Sequence, residues 1–231
     1  MNLIVRVYNN QYNFEVETLD KLLELIESEI NVDRSFFYLN YQDTILNYNF
    51  EIKNLINNSL IDLYWKFKYF NSDLKSLSVE DKNYQIPVPI LLESIVVNTI
   101  LCNDNEDYMN ILNDDNQLIF NTKEILNKDS ITDWLNLSCE IKSFLENQNK
   151  TLDDLKIPKP LINKKLYYYV GNKAYQYLDS MNFKKLKNLA TLSDFLDIPY
   201  LLETTSAFIA EKHVKNNSVE NIKKIFDNIE V

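Results

Sequence analysis

The sequence predicts a two-domain α+β protein, and three observations lead to this prediction. Near the N-terminus, apolar residues alternate with polar ones on both sides of a polar turn, which is typical of a β-hairpin. Toward the C-terminus, apolar residues recur at helical spacing in several segments. A polar stretch over residues 71–83 separates the two patterns. We therefore expect a domain with a sheet over 1–70, a linker with a packing helix over 71–105, and a mainly helical domain over 106–231.

The first seventy residues predict a hairpin, a helix and two further strands, in that order. The alternating apolar positions of the hairpin are Leu3, Val5, Val7, Phe14 and Val16. Thr18 or Asp20 is expected to cap the helix, because a side-chain oxygen there can accept a hydrogen bond from a free N–H group of the first turn. Residues 36–41 and 61–68 have the aromatic and alternating patterns of strands.

This order resembles the ubiquitin-like β-grasp fold. The two strands within residues 1–17 and the strand within 33–39 are similar to ubiquitin's first three strands. The resemblance implies a folded docking or spacer domain. Ubiquitin's apolar recognition patch would fall at Tyr38 and at Tyr64 or Lys66, whose aromatic and charged side chains give a different surface. No Gly-Gly pair ends this segment, so we do not expect it to be conjugated as a modifier.

The rest of the chain predicts one more hairpin and a series of helices. Alternation around the polar turn at 113–116 predicts short strands at 109–112 and 118–122. Asp129 or Ser130 can cap the helix that follows. Further helices are predicted from apolar spacing over 91–100, 161–170, 183–196, 201–209 and 219–226.

The end of the helical domain carries a specific pattern. Phe195-Leu196-Asp197-Ile198 ends one predicted helix, Leu201-Leu202 begins the next, and Glu220-Asn221-Ile222-Lys223-Lys224-Ile225-Phe226 forms the last. The pattern resembles the S-phase-kinase-associated (SKP) adaptor family, which has the BTB/POZ fold and joins cullin to F-box proteins. The resemblance extends over 106–231 and includes Ile157-Pro158-Lys159-Pro160, which is similar to the family's Pro-rich entry into a helix. Elongin C, a relative of this family, pairs with the ubiquitin-like elongin B, so the two predicted domains resemble that pair in one chain.

The resemblance to the SKP family implies two binding regions. The cullin-binding residues would be Asp194, Phe195 and Asp197. The receptor-binding residues, which would face an F-box or a similar helix, are Phe208, Val219, Ile222, Ile225 and Phe226. For Phe208 and for the last helix, packing in the core remains an alternative interpretation. The family usually continues into a further helix beyond the position of Val231, so we expect F-box binding to be weaker, altered or absent here.

The composition limits the classes of partner and the cellular compartments that we expect for this protein. The formal net charge of −10 argues against nucleic-acid binding, because phosphate contacts need a basic face. Two cysteines do not make a disulfide framework, and no secretory signal or long apolar segment is visible, so we expect the reducing cytoplasm or nucleus and no membrane contact. The bias toward Asn, Ile and Lys indicates an AT-rich genome, such as that of a protist or of a large DNA virus in its host cell.

Catalytic motifs are missing from the sequence. With Gly171 as its only glycine, the chain has no Gly-rich phosphate loop and no nucleophile elbow. His213 is the only histidine and forms no recognised metal spacing with Cys102 and Cys139. We therefore expect no catalytic activity and no cofactor or metal site. The resemblance to the SKP family implies a non-enzymatic adaptor of a cullin-type ubiquitin ligase that bridges cullin and an F-box-like substrate receptor. The alternative is a BTB-fold interaction protein that self-associates as a homodimer and has lost ligase function.

Overall fold

The protein is a mixed α+β structure, as the sequence predicts. A computed structural model describes residues 1–7, 10–47, 50–79, 82–102, 118–120, 125–159, 161, 165–215 and 217–227. The chain divides into two compact units, Met1–Val88 and Pro89–Val231.

A five-stranded mixed sheet and one helix form most of the first unit. Their bounds are β1 (Asn2–Val7), β2 (Asn10–Glu15), α1 (Leu19–Ile30), β3 (Phe37–Tyr41), β4 (Thr44–Ile45) and β5 (Ser59–Trp65). The strand order is β2-β1-β5-β3-β4. The central strands β1 and β5 are parallel, and the other neighbouring strands are antiparallel. The predicted hairpin, helix and two strands are therefore confirmed in their predicted order.

The alternation of apolar residues decides which face of this sheet is buried. Leu3 and Val5 of β1 are fully buried, whereas Arg6 between the alternating positions is exposed. Leu22 and Ile26 of α1 belong to the same buried cluster as these strand residues. Fully burying one such aliphatic side chain stabilises the fold by about 1.5–3 kcal/mol. The core of the first unit therefore lies between α1 and one face of the sheet.

The two ends of α1 are fixed by local backbone chemistry. Of the two predicted caps, Thr18 is the observed one, since its Oγ1 accepts from the Lys21 N–H at 3.2 Å. Asn31 ends the helix in the left-handed region with φ of 53°, which asparagine tolerates better than most residues. The Asn31 carbonyl then accepts from the Gln85 N–H at 3.0 Å, which connects the end of α1 to the last strand of this unit.

The polar stretch over 71–83 is not only a linker, and this part of the prediction is wrong. It contains β6 (Leu74–Val79), which pairs antiparallel with β7 (Lys82–Pro87). Leu77 and Ile86 are fully buried. Only a few apolar residues carry the alternation here, and the serines and lysines between them make the segment look like a linker.

Helices dominate the second unit. The elements beyond β7 are α2 (Val88–Leu91), α3 (Ile95–Cys102), β8 (Leu118–Phe120), α4 (Lys128–Glu146), α5 (Tyr167–Val170), α6 (Asn172–Ser180), α7 (Phe183–Phe195), α8 (Pro199–Ile209), a π segment (Ala210–Val214) and α9 (Val219–Asp227). The core forms around α4, whose Trp134 side chain is fully buried. The helices predicted over 183–196, 201–209 and 219–226 are confirmed.

Three predictions for the second unit differ from the structure. The helix predicted over 91–100 is interrupted, because α2 ends at Leu91 and α3 begins at Ile95. Among the described residues of the helix predicted over 161–170, only the short α5 is helical, and α6 follows directly after Gly171; residues 162–164 lie outside the described ranges. Asn127, rather than Asp129 or Ser130, caps α4, and its Oδ1 accepts from the Ser130 N–H at 3.0 Å. The strand predicted over 109–112 lies outside the described residues.

Candidate functional site

A tight corner, Asp194–Ile198, joins α7 to α8 and contains all three predicted cullin-binding residues. Asp197 has φ of 48°, in the left-handed region. Its N–H donates to the Asp194 carbonyl at 3.1 Å, and the Ile198 N–H donates to the Ser193 carbonyl at 2.8 Å. These two bonds form the Schellman arrangement that satisfies the last carbonyls of a helix. The corner is therefore a well-defined helix end followed at once by a new helix.

The sequence explains why the corner presents its acidic residues to solvent. Leu196 and Ile198 are buried on either side of Asp197, which is exposed. Pro199 then occupies the first turn of α8, where its fixed φ suits a helix start. Asp194 is also exposed and Phe195 is half-buried. The corner thus carries two solvent-facing carboxylates beside part of an aromatic ring, all held on buried aliphatic anchors.

Substitutions at Asp197 are expected to separate backbone strain from side-chain chemistry. Asp197→Gly should leave the free energy of unfolding unchanged or slightly higher, because glycine adopts positive φ without a Cβ penalty. Asp197→Ala should lower it by about 1 kcal/mol, because alanine is strained in this region. Urea unfolding of the two variants measures the difference. Equal losses for glycine and alanine would show that the carboxylate, and not the backbone, stabilises the corner.

Residues Glu93, Ser94 and Ile95, which we call the clasp, bond to the corner from inside the unit. The Ser94 hydroxyl donates to the Leu196 carbonyl at 2.5 Å, and the Ile95 N–H donates to the Asp197 carbonyl at 3.0 Å. The same Ser94 oxygen accepts from the Val97 N–H at 3.1 Å, so it also caps α3. Ser94 is fully buried. The break between α2 and α3 therefore supplies the hydrogen bonds that the end of α7 lacks.

The clasp continues into a buried polar cluster formed by Glu93, Lys142, Tyr200 and Ser138. Lys142 Nζ and the Tyr200 hydroxyl both donate to the Glu93 carboxylate, and the Tyr200 hydroxyl lies 2.7 Å from Ser138 Oγ. Only 9% of the Glu93 side chain and 17% of the Lys142 side chain are exposed. Burial raises the pKa of the Glu93 carboxyl, while Lys142 and Tyr200 oppose this change. Burial, together with the Glu93 charge, also raises the pKa of the Tyr200 hydroxyl.

A groove of about 1090 Å³ runs along α8 and the π segment. Its other side is formed by Pro158, Lys159, Leu161 and Lys165, and Asp197 of the corner also lines it. Leu161 and Leu202 give it apolar surface. The groove is open to solvent and large enough for several side chains of a partner. It therefore lies directly beside the corner.

Charged groups surround the groove. Lys159 Nζ pairs with Glu203 at 2.7 Å across it, whereas Lys165 and Lys215 are exposed on its rim. Glu211 accepts from the Leu166 N–H at 3.0 Å and from the Tyr175 hydroxyl at 3.1 Å, which holds the π segment in place. π-helical turns are rare and often occur at functional sites. The widened turn carries Glu211 to these two donors.

The predicted receptor-binding residues fall into three groups. Phe208 is 2% exposed and packs edge-on against Tyr175 at 5.3 Å, so its ring supports the groove from beneath. Val219 at the start of α9 is 69% exposed, and Ile222 one turn later is half-buried. The backbone of Ile225 and Phe226 belongs to α9, but their side chains lie outside the described residues.

Sequence reasoning missed the clasp, the buried cluster and the groove. One signal was visible for the cluster, because Glu93 interrupts the apolar run from Pro87 to Cys102. A second signal is that Lys142 lies at helical spacing from Leu135 and Cys139, which places it on the same face of α4 as these two buried residues. A charged residue on a buried helix face implies a buried partner. The sequence does not show that Glu93 is that partner.

Cys139 and His213, the two residue types most often used as nucleophile and base, both lie in packed surroundings. Cys139 is fully buried, and burial raises the pKa of its thiol, so a thiolate nucleophile is disfavoured. His213 packs edge-on against Phe183 at 4.9 Å, and partial burial lowers its pKa. Within the described ranges, no group of three His, Cys, Asp or Glu residues could hold a metal ion. No helix in this part of the chain is long and apolar enough to cross a bilayer.

A scan against protein-family models and a search of curated proteins both found no match to this chain.

Proposed function

We propose that this protein is a non-enzymatic adaptor of a cullin-type ubiquitin ligase. The observation that carries the proposal is the corner, where Asp194, Phe195 and Asp197 lie together on a hydrogen-bonded helix junction. An interface residue is most effective when buried neighbours hold it in place, because little conformational freedom is then lost on binding. In this proposal, the corner contacts cullin through its two carboxylates and the half-buried ring of Phe195.

The groove beside the corner supports a second contact, to an F-box-like substrate receptor. Helical peptides bind to grooves that combine apolar surface with a polar rim. Leu161 and Leu202 supply the apolar surface, and Lys165 and Lys215 supply charge at the rim. Val219 of α9 adds an exposed apolar side chain. One helical unit would then bridge two partners at adjacent sites.

For the first unit we propose a ubiquitin-like β-grasp domain that serves as a docking or spacer element. The strand order β2-β1-β5-β3-β4, with its parallel central pair and α1 on one face, supports this assignment. On the opposite face, Tyr38 and Tyr64 stack at 5.7 Å, and Arg6 pairs with Asp62 at 2.5 Å. This aromatic and charged surface differs from ubiquitin's apolar patch, so we do not propose binding to ordinary ubiquitin receptors.

Phe195→Ala is expected to weaken cullin binding by at least about tenfold, which corresponds to about 1.4 kcal/mol. Removing the ring deletes the largest apolar group of the corner, and aromatic anchors dominate many interfaces. Biolayer interferometry against a panel of purified cullin N-terminal domains measures the effect. Tyr168→Ala is the matched control, since it removes an exposed aromatic ring of α5 outside the corner. The adaptor proposal fails if the unsubstituted protein binds no cullin in this panel or in affinity purification from cells.

One observation favours the alternative, a self-associating interaction protein. Leu92 and Ile95, at the break between α2 and α3, are 40% and 49% exposed. Exposed aliphatic pairs are frequent in homodimer interfaces. Light scattering distinguishes the two proposals: a dimer that Leu92→Asp converts to a monomer, with no cullin binding, would support self-association.

A further inference from the structure

We propose that Glu93 and Tyr200 are positioning residues that hold the corner in the conformation its partner binds. The proposal rests on the adaptor function proposed above, and it assigns a role to the polar cluster that lies behind the corner.

The first step concerns the two carbonyl groups at the corner. The Leu196 and Asp197 carbonyls accept hydrogen bonds from Ser94 and Ile95, respectively. The last carbonyls of a helix have no partner within that helix and need one from elsewhere. Because Leu196 is buried, water is a poor replacement. The left-handed turn at Asp197 therefore depends on where the clasp lies.

The second step concerns what holds the clasp. Glu93 directly precedes Ser94, and its carboxylate accepts from Lys142 of α4 and from Tyr200 of α8. Tyr200 is the second residue of α8, so this bond reaches the helix that leaves the corner. One short segment thus forms hydrogen bonds to the end of α7 through Ser94 and Ile95, and to the start of α8 through Glu93. The angle between the two helices is fixed from inside.

The third step is the choice of polar groups at this place. A buried ion pair is weak evidence for stability, since well-packed apolar residues often stabilise equally well. Buried polar groups are better suited to selecting one arrangement, because each carboxylate oxygen must find its own donor. Each of the two Glu93 carboxylate oxygens accepts from a different helix, one from α4 and one from α8. An aliphatic side chain in this place would favour no particular position of the two helices. The cluster therefore specifies the geometry of the corner.

The experiment compares Glu93→Gln and Tyr200→Phe with the matched control Asp133→Asn. Like Glu93, Asp133 of α4 is a buried carboxylate. It accepts from the Tyr177 hydroxyl at 2.8 Å and lies 4.0 Å from Lys185 Nζ, but it does not contact the corner. Two quantities are measured in the chain of residues 1–231: amide hydrogen exchange at Asp197 and Ile198, and affinity for the cullin domain that the unsubstituted protein binds.

Both test variants should exchange these two amides at least about tenfold faster and bind cullin about tenfold more weakly, while Asp133→Asn changes neither quantity. Tyr200→Phe removes a single hydroxyl and keeps the ring, so the fold should persist. Unchanged exchange and affinity in Tyr200→Phe and Glu93→Gln would overturn the positioning role while leaving the adaptor function intact. An equal effect of Asp133→Asn would also overturn it, since the cause would then be general loosening. If the unsubstituted protein binds no cullin, the adaptor proposal fails instead, and hydrogen exchange still decides whether the cluster fixes the corner.

Discussion

Lys142→Met is expected to lower the free energy of unfolding of the second unit by about 3–5 kcal/mol, the usual cost of leaving a buried charge without its partner. Lys142 Nζ donates to the Glu93 carboxylate and, at 3.2 Å, to the Pro89 carbonyl. Methionine keeps most of the volume but donates nothing. The measurement is urea unfolding followed by the fluorescence of buried Trp134, in a Trp65→Phe background that removes the only other tryptophan.

The double variant Glu93→Leu/Lys142→Met provides the control for this experiment. Replacing both members of a buried ion pair by apolar residues is often neutral or stabilising, because neither charge then has to be desolvated. We therefore expect the double variant to recover most of the stability lost in Lys142→Met. A double variant that is as unstable as the single one would mean that packing of the Lys142 stem, and not its charge, supports the unit.

The loss of stability in Lys142→Met should also depend on pH. Burial raises the pKa of Glu93, so the native state holds its proton at pH values where the unfolded state has released it. Between the unfolded and the folded pKa, the native state binds more protons and stability falls as pH rises. Removing Lys142 raises the Glu93 pKa further, because the opposing charge is lost. The destabilisation should be largest at neutral pH and shrink on acidification as Glu93 becomes protonated; a deficit that grows between pH 7 and pH 5 would contradict this mechanism.

Local patterns in the sequence predicted those parts of the fold whose causes are local. The alternation at Leu3 and Val5 and the cap at Thr18 act within a few residues, and both occur as expected. The corner belongs to the same class, because Leu196 and Ile198 are apolar anchors and Pro199 starts the next helix. The alternation of buried and exposed side chains at Leu196, Asp197 and Ile198 is local, whereas the hydrogen bonds from Ser94 and Ile95 that hold this turn come from a distant segment.

The missed elements have weak local signals. Strand β6 has the sequence LKSLSV, whose aliphatic residues alternate strictly only at Leu77 and Val79, so its pattern is too short to separate it from the polar residues around it. The segment of α6 has only Ala174 and Leu178 as buried residues, which is too few for a clear helical period. Pairing and packing against other elements decide the structure of such segments, and their own periodicity does not.

The buried cluster could not be predicted because it joins residues that are far apart in the chain. Glu93 and Tyr200 are separated by 107 positions, and Glu93 and Lys142 by 49. The sequence shows Glu93 and Lys142 as charged residues in apolar surroundings, but it gives no sign of Tyr200 and does not show which of these residues meet. The groove could not be predicted for the same reason, because its two sides are formed by segments that are separate in the sequence. A motif therefore indicates candidate binding residues, but it does not indicate the distant residues that hold them in place.

Gly171→Ala is expected to destabilise the second unit by about 3 kcal/mol or more, because backbone strain and a steric clash add. Gly171 has φ of 88° and ψ of 157°, a region that residues with a Cβ atom hardly adopt. A Cβ atom there would lie 2.6 Å from Cδ2 and 3.0 Å from Cβ of Phe144. Rotating the ring can move Cδ2 away, but the Phe144 Cβ is fixed to α4, so the 3.0 Å contact remains. The same single-tryptophan unfolding measurement gives the size of the effect.

Phe144→Ala separates the two contributions in a double-mutant cycle. In a Phe144→Ala background the clash is absent, so Gly171→Ala should cost only the backbone strain of about 1–3 kcal/mol. Asn149→Ala is a useful comparison, because Asn149 has φ of 55° at an exposed position and tests alanine at positive φ without a buried ring. If Gly171→Ala cost the same with and without the Phe144 ring, strain alone would explain why glycine stands between α5 and α6. A smaller cost without the ring would mean that glycine is needed there for two reasons: the chain turns through an unusual dihedral, and it passes too close to α4 for any side chain.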